Sequence, residues 1–266
     1  MPCPGEFYDV ESGGDARFQL EHTHGKQFKL LRQFGFVDLM PPHKTFVVPH
    51  DVNDFETDLA STPDYFTWLI PGVGVHLPAI LLHDGLVYNG KPSFIGPPID
   101  RHEADRIFRD AMKALGTGPI RRWMIWAASA LATAWEESKG WKALLIVTAL
   151  LMGALGGLAT LDLFDVVNFL PWMDNRPFFW EFLWGGVAAL VTPFFISLPC
   201  LPKRYTAMLI ASIAFAFLVH VTLVIAALLA LYKVFEWLAR RIERWSRDRQ
   251  TSPAPQQVYE QSGSAS

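Results

Sequence analysis

A histidine and an aspartate stand side by side, His83-Asp84, in an otherwise apolar segment of the chain. Pro78 suits the first turn of a helix, and Asn89-Gly90 is a helix stop signal. A carboxylate rarely enters a buried helix unless it is paired, hydrogen-bonded or bound to a metal. A histidine can accept a proton near neutral pH. The pair is therefore the first candidate for acid–base or metal chemistry.

A second helical pattern supplies a further carboxylate, Asp105. The pattern begins at Asp100, with Glu103 three residues later in a capping-box arrangement. Asp105 lies at the edge of the apolar face, which is formed by Ala104, Ile107, Phe108, Ala111, Met112 and Leu115. The charged residues Arg106, Arg109, Asp110 and Lys113 are expected to face water. An unpaired polar group on each packed helix would be costly, so His83 and Asp105 are predicted to lie about 2.6–3.2 Å apart.

The elements before this core predict a small sheet. Residues 1–15 are rich in Gly, Pro and acidic residues and predict a loose lead-in. Short apolar runs at 28–31, 34–37 and 45–48 predict three or so strands, and Thr62-Pro63 predicts the start of a helix. A globular domain is expected over residues 16–138.

The helix predicted over Ile120–Glu137 leaves two interpretations open. Trp123, Trp126 and Trp135 suit a helix that completes the core, and they equally suit one lying at a membrane surface.

The remaining sequence predicts a membrane region at 139–238. The chain is 51% hydrophobic with a mean hydropathy of +0.20, which is high for a soluble domain. Candidate spans are 143–161, 178–198 and 205–232. The fold class predicted is α+β, with a small N-terminal sheet and a helical His-Asp core, followed by about three transmembrane helices. The net charge of −3 gives no reason to expect a nucleic-acid partner, so the lipid bilayer is the expected partner.

The orientation of three spans conflicts with the distribution of basic residues. Lys139, Lys142 and Lys203 favour the cytoplasm for the start of the first span and of the third. The arginines after the third span favour the cytoplasm as well. We expect a multi-pass protein with a cytoplasmic N-terminal domain, and a tail at 239–266 that is basic and then disordered. His220, within the third span, is expected to bond to a neighbouring helix.

The segment from about residue 28 to 137 resembles family number 1353 of the domains of unknown function, found largely in phages and bacterial genomes. The match runs through Val48-Pro49, TDLASTP at 57–63, LHD at 82–84, and the R-x-x-A-D-x-x-F-x-x-A-M pattern at 101–112. This resemblance supplies no activity by itself.

The His-Asp helix followed by A-D-x-x-F also resembles the core of the secretory phospholipase A-two superfamily. The resemblance implies that His83 is a general base and that Asp105 orients it. It also implies that Asp84 binds calcium together with backbone carbonyls around Gly72 and Gly74. The superfamily has an aromatic residue four positions after the histidine, where this chain has Val87 followed by Tyr88.

Two functions from different classes follow. One is a membrane-anchored, calcium-dependent phospholipid or ester hydrolase. The alternative is a non-catalytic membrane or phage-related assembly protein in which His83 and Asp105 form a structural pair. A different metal site, drawn from His43, His50, His76 and His102, is a further possibility, although their spacings match no zinc pattern.

Overall fold

Six short strands form two antiparallel sheets in the part of the chain that the computed structural model describes, namely residues 2–25, 27–59, 74–88, 92–173, 176–200, 202 and 204–250. The first sheet has the order β1-β4-β5 and the second the order β2-β3-β6. The strands are β1 (Phe7–Asp9), β2 (Leu20–His22), β3 (Phe28–Leu30), β4 (Phe34–Val37), β5 (Thr45–Val48) and β6 (Glu56–Thr57). The three strands predicted from the apolar runs are confirmed as β3, β4 and β5.

The predicted loose lead-in is wrong for residues 7–9, which form β1 and pair with β4. The ring of Phe7 lies 4.7 Å from that of Phe36, so the strand is held by core packing. Asp9 is buried, and its carboxylate accepts hydrogen bonds from the amide and hydroxyl of Ser12. These bonds, with help from Arg32, lower the pKa of Asp9.

Helices follow the sheets and complete the α+β fold. They are α1 (Leu77–Val87), α2 (Arg101–Ala114), α3 (Pro119–Glu137), α4 (Lys139–Leu163), α5 (Phe178–Ile196) and α6 (Tyr205–Gln250), with a 3₁₀ turn at Leu198–Cys200. The chain divides into two units, Met1–His220 and Val221–Ser266, so that the second unit begins within α6.

Local sequence explains where α1 and α2 lie. Proline stands in the first turn of α1, and Asp100 caps α2 by accepting the Glu103 amide at 2.7 Å. A Cβ on Gly85 would lie 2.3 Å from Cγ1 of Val48 in β5. Glycine at this position lets α1 lie directly against β5, and this contact fixes the neighbouring His83 and Asp84 relative to the sheet.

The α3 helix packs into the core, which decides between its two interpretations. Ile125 is buried in the main cluster of the domain, together with Leu81 of α1 and Met112 of α2. On another face, Ala127 and Ala130 pack against Ala207 of α6.

Two helices of the described residues are long and apolar enough to cross a membrane, Lys139–Leu163 and the stretch Phe178–Cys200. The prediction of about three spans is therefore corrected to two. The third predicted span, 205–232, contributes an apolar stretch of only Tyr205–Leu218 to the residues searched, which is below the length needed. The side chain of His220 lies outside the described part, as does the helix start predicted at Thr62-Pro63.

Candidate functional site

His83 lies on the face of α1 that meets α2. Its side chain is 14% exposed, so the imidazole is largely enclosed but not sealed from solvent. The ring lies 4.6 Å from the ring of Phe108 of α2, and the two planes are inclined by 30°. Packing against the phenyl ring fixes the rotation of the imidazole.

Asp105 holds one nitrogen of this imidazole. His83 Nε2 lies 3.0 Å from Asp105 Oδ1, which confirms the predicted hydrogen bond between the two helices. Asp105 is only 2% exposed, so its carboxylate is shielded from bulk water. Because a carboxylate only accepts, Nε2 carries the hydrogen of this bond. In the neutral imidazole the lone pair then stands on Nδ1, the atom able to take a proton.

Ser129 of α3 joins the pair and was missed in the sequence. Its hydroxyl donates to Asp105 Oδ1 at 2.9 Å and lies 3.2 Å from His83 Nε2. Three consecutive helices therefore meet at one carboxylate oxygen. A serine in an alanine-rich helix carries little signal by itself. Its position four residues after the buried Ile125 places it on the face turned towards the core, which was the available clue.

The three residues do not form a serine-nucleophile relay. In such a relay the histidine stands between serine and aspartate and uses a different nitrogen for each. Here Ser129 and Asp105 both lie at Nε2, and the serine hydroxyl donates to the carboxylate itself. Ser129 is therefore placed to fix Asp105 rather than to attack a substrate.

Asp84 points to β6. Its Oδ2 accepts the hydroxyl of Thr57 at 2.5 Å, and Thr57 Oγ1 in turn accepts the amide of Leu59 at 3.0 Å. Burial raises the pKa of Asp84, an effect opposed by the Thr57 hydrogen bond and by His83, while Asp58 adds to the rise. This contact links the Thr57-Asp58 and His83-Asp84 motifs of the domain.

Calcium-binding carbonyls were predicted at Gly72 and Gly74, and of these two residues the structure describes Gly74. Gly72 lies outside the described residues. The Gly74 carbonyl accepts the Leu77 amide at 3.0 Å in the turn that enters α1. Asp84 itself contacts Thr57.

Among the described residues, no group of three or more His, Cys, Asp or Glu side chains is placed to hold a metal ion. The four histidines of the further metal hypothesis lie on separate elements. His43 contacts the Asp38 carbonyl, His50 follows β5, His76 precedes α1, and His102 is exposed in the first turn of α2.

Tyr88 does not replace the aromatic residue of the phospholipase pattern. Its hydroxyl donates to the Asp54 carbonyl at 3.2 Å and accepts the Glu56 amide at 3.3 Å, so it points to the β6 edge.

Within the described part of the chain, the buried Oδ2 of Asp105 has no hydrogen-bond partner.

A buried ion pair fixes the helix that carries Asp105. Arg106 donates to both carboxylate oxygens of Asp38, at 3.1 and 2.6 Å, just after β4. The prediction that Arg106 faces water is wrong, since its side chain is only 20% exposed and Asp38 is buried. Hydrogen bonding to Asp38 raises the pKa of Arg106 further above its ordinary value. The bidentate pair ties α2 to the first sheet.

The fold and the site define an α+β domain with a buried His-Asp pair, followed by a helical region with two candidate spans. Residues 28–129 match the model of a family described as protein of unknown function (DUF1353). The match begins at the first residue of β3 and ends at Ser129. No curated protein and no solved structure matches the chain.

Proposed function

We propose that this protein is a membrane-anchored hydrolase that cleaves acyl ester bonds of phospholipids, with His83 as its general base. The observation that carries the proposal is the 3.0 Å bond from His83 Nε2 to the buried Asp105. This bond orients the ring and directs the basic nitrogen, Nδ1, away from the carboxylate. The secretory phospholipases that the motif resembles use a histidine in this manner.

The chemical step follows from this geometry. His83 Nδ1 removes a proton from a water molecule while the water oxygen attacks the ester carbonyl carbon. The tetrahedral intermediate then collapses, the bond to the alkoxy oxygen breaks, and His83 returns its proton to that oxygen. The products are a fatty acid and a lysolipid. Asp105 stabilises the imidazolium that exists between the two transfers, with Ser129 holding the carboxylate in place.

Calcium is the cofactor of this proposal. Asp84 would be its carboxylate ligand, with backbone carbonyls at Gly72 and Gly74. The bound ion would polarise the ester carbonyl. A calcium site takes six to eight oxygens, whereas the described donors supply one carboxylate that already accepts the Thr57 hydroxyl. The proton transfers themselves involve His83 and Asp105 and do not pass through the ion.

Membrane anchoring is supported by the surfaces of α4 and α5. In the most apolar window of each candidate span only 11% of the residues are buried, whereas the core helix of a soluble protein is mostly buried. Exposed residues such as Leu150, Phe182 and Phe195 would lie against lipid tails.

Two spans favour a cytoplasmic N-terminal domain. A hairpin of α4 and α5 places both of its ends on the same side of the membrane. These ends carry Lys139 and Lys142 before α4 and Arg204 after α5, and basic residues favour the cytoplasmic side. Arg204 donates to the Glu137 carboxylate at 3.0 Å, so the two ends are close together. Asp162, in the last turn of α4, and Asp165, in the connection that follows α4, would lie outside.

The test is fatty-acid release from mixed phospholipid vesicles by the full chain in detergent or reconstituted in a bilayer. We expect release by the wild-type protein, and a total absence of release with and without calcium would contradict hydrolysis. His102→Gln, which changes an exposed histidine on α2, is the matched control for substitutions at His83.

A second candidate is a non-catalytic membrane or phage-related assembly protein. The observation that favours it is the structural use of the site carboxylates, since Asp84 binds Thr57 and Asp105 joins three helices. Under this alternative the wild-type protein releases no fatty acid, and substitutions at the site alter only stability.

A further inference from the structure

A cavity of about 270 Å³ lies in the membrane region, far along the chain from His83. It is enclosed by α4 and α5, with Ala216 and Phe217 of α6 completing the wall. The space exists because small residues stand where the helices face each other, including Gly156, Ala159 and Gly186. A Cβ added at Gly186 would meet no atom within 4 Å.

Among the described residues, one carboxyl group lines this largely apolar space. Glu181, in the first turn of α5, is 2% exposed, and its Oε1 accepts the backbone amide of Arg176 at 3.0 Å. A glutamate is rarely this buried without a function or a compensating partner. One backbone hydrogen bond leaves most of the acceptor capacity of a carboxyl group unused.

A donor lines the same cavity. The indole Nε1 of Trp172 is buried and has no hydrogen-bond partner among the described residues. An indole nitrogen only donates, whereas the Glu181 carboxylate only accepts. Among the described residues, Glu181 and Trp172 therefore offer a ligand a buried acceptor and a buried donor. The other polar side chains of the wall are Thr160, whose hydroxyl donates to the Gly156 carbonyl, and Thr192.

The buried acceptor of Glu181 and the buried donor of Trp172 indicate the chemical class of the ligand. A hydroxyl group can donate to Glu181 and accept from Trp172, whereas an ammonium group can only donate and would leave the indole unsatisfied. The volume is about nine times that of a water molecule in the liquid, and it lies just below the range of roughly 300–1,000 Å³ for drug-sized ligands. A molecule with one short or partly inserted chain fits this volume better than a two-chain lipid.

We propose that this cavity binds the hydroxyl end of a single-chain aliphatic alcohol drawn from the bilayer, such as the glycerol end of a monoacylglycerol. The hydroxyl lies between Glu181 and Trp172, and the chain lies along the small residues of α4 and α5. This site is independent of His83, and it stands whether or not the N-terminal domain is a hydrolase.

The probe for the experiment is an eight-carbon primary alcohol that carries a photoreactive diazirine, applied to the full chain in detergent. We expect ultraviolet labelling of cavity-lining residues in α4 and α5, with at least a tenfold loss when excess 1-octanol is present. The methyl ether of octanol cannot donate a hydrogen bond and should compete at least tenfold more weakly. Labelling that 1-octanol does not reduce, or that octylamine reduces more effectively than octanol, would overturn the proposal.

Two glycine substitutions separate the cavity from the general membrane surface. Gly186→Leu fills the cavity, whereas Gly157→Leu adds the same side chain to α4 at a glycine that also has open space around it and does not line the cavity. Leucine is a better helix former than glycine, so neither change should weaken its helix. We expect labelling to fall at least tenfold in Gly186→Leu and to stay at the wild-type level in Gly157→Leu. Equal labelling of the two variants, with unchanged thermal unfolding midpoints, would contradict binding in this cavity.

Discussion

The Ser129 hydroxyl donates a 2.9 Å hydrogen bond to Asp105 Oδ1, the same oxygen that His83 Nε2 contacts. The serine comes from the third helix of the domain and the aspartate from the second. Their contact fixes the orientation of the carboxylate that binds the His83 imidazole. We infer that Ser129 is a positioning residue, whether the pair serves catalysis or stability.

Ser129→Ala should lower the free energy of unfolding of the full chain by about 1–2 kcal/mol, because it removes a hydrogen bond to a buried charged group. Denaturant unfolding in detergent measures this change. Ala128→Ser, on the exposed side of the same helix, is the control and should stay within about 0.5 kcal/mol of wild type. If the protein is a hydrolase, Ser129→Ala should also reduce kcat more than it changes KM, and Ser129→Thr should restore part of the loss. A variant as stable and as active as wild type would show that the contact has no positioning role.

Asp84→Asn should stabilise the protein at neutral pH. Burial raises the folded-state pKa of Asp84 above its unfolded value, so its contribution to stability is fully present below the unfolded pKa and is lost as pH rises through the folded pKa. A neutral amide avoids this loss. We expect the thermal midpoint of Asp84→Asn to exceed that of wild type at pH 7–8 and the difference to shrink towards pH 4.

The exposed Asp54→Asn is the control for this comparison and should show no such pH dependence. Calcium supplies a second readout. A thermal midpoint that rises on addition of calcium in the wild type but not in Asp84→Asn would support the ligand role. Lower stability of Asp84→Asn at neutral pH in calcium-free buffer would contradict the effect expected from burial.

Arg106→Leu should lower the free energy of unfolding by about 3 kcal/mol, because it leaves the buried carboxylate of Asp38 without its bidentate partner. Lys113→Leu, on an exposed position of the same helix, is the control and should have a small effect. An equal loss of unfolding free energy in Arg106→Leu and Lys113→Leu would indicate a general effect of charge on α2 and would contradict a specific role of this ion pair.

Membrane insertion and orientation can be tested with the two natural cysteines as a starting point. Cys3 is exposed and Cys200 is buried. We expect carbonate to leave the protein in the membrane and detergent to extract it. An impermeant maleimide should label Cys3 only after the cells are permeabilised. Val166→Cys in a Cys3→Ser background should be labelled in intact cells, because Val166 is exposed in the connection that follows α4. The reverse pattern would contradict a cytoplasmic N-terminal domain, and release by carbonate would contradict spanning helices.

Local patterns in the sequence were enough to predict much of the domain core. The capping residue Asp100, the apolar period of α2 and the proline of α1 predicted two helices, and the cost of unpaired polar groups predicted the contact between His83 and Asp105. Contacts set by tertiary packing could not be predicted in this way. Ser129 lies 24 residues from Asp105, and Arg106 reaches Asp38 across 68 residues. Pairing of β1 with β4 depends on the packing of Phe7 against Phe36, which overrides the loop-like composition of residues 1–15.

The most direct test of the proposed function is fatty-acid release from phospholipid vesicles by His83→Gln. The glutamine amide can keep a hydrogen bond to Asp105, so the fold should be preserved while the proton acceptor is lost. We predict a loss of roughly 10²–10⁴-fold in the rate of release relative to wild type, with His102→Gln remaining at the wild-type rate. Release by His83→Gln at the wild-type rate would contradict the account of His83 as the general base.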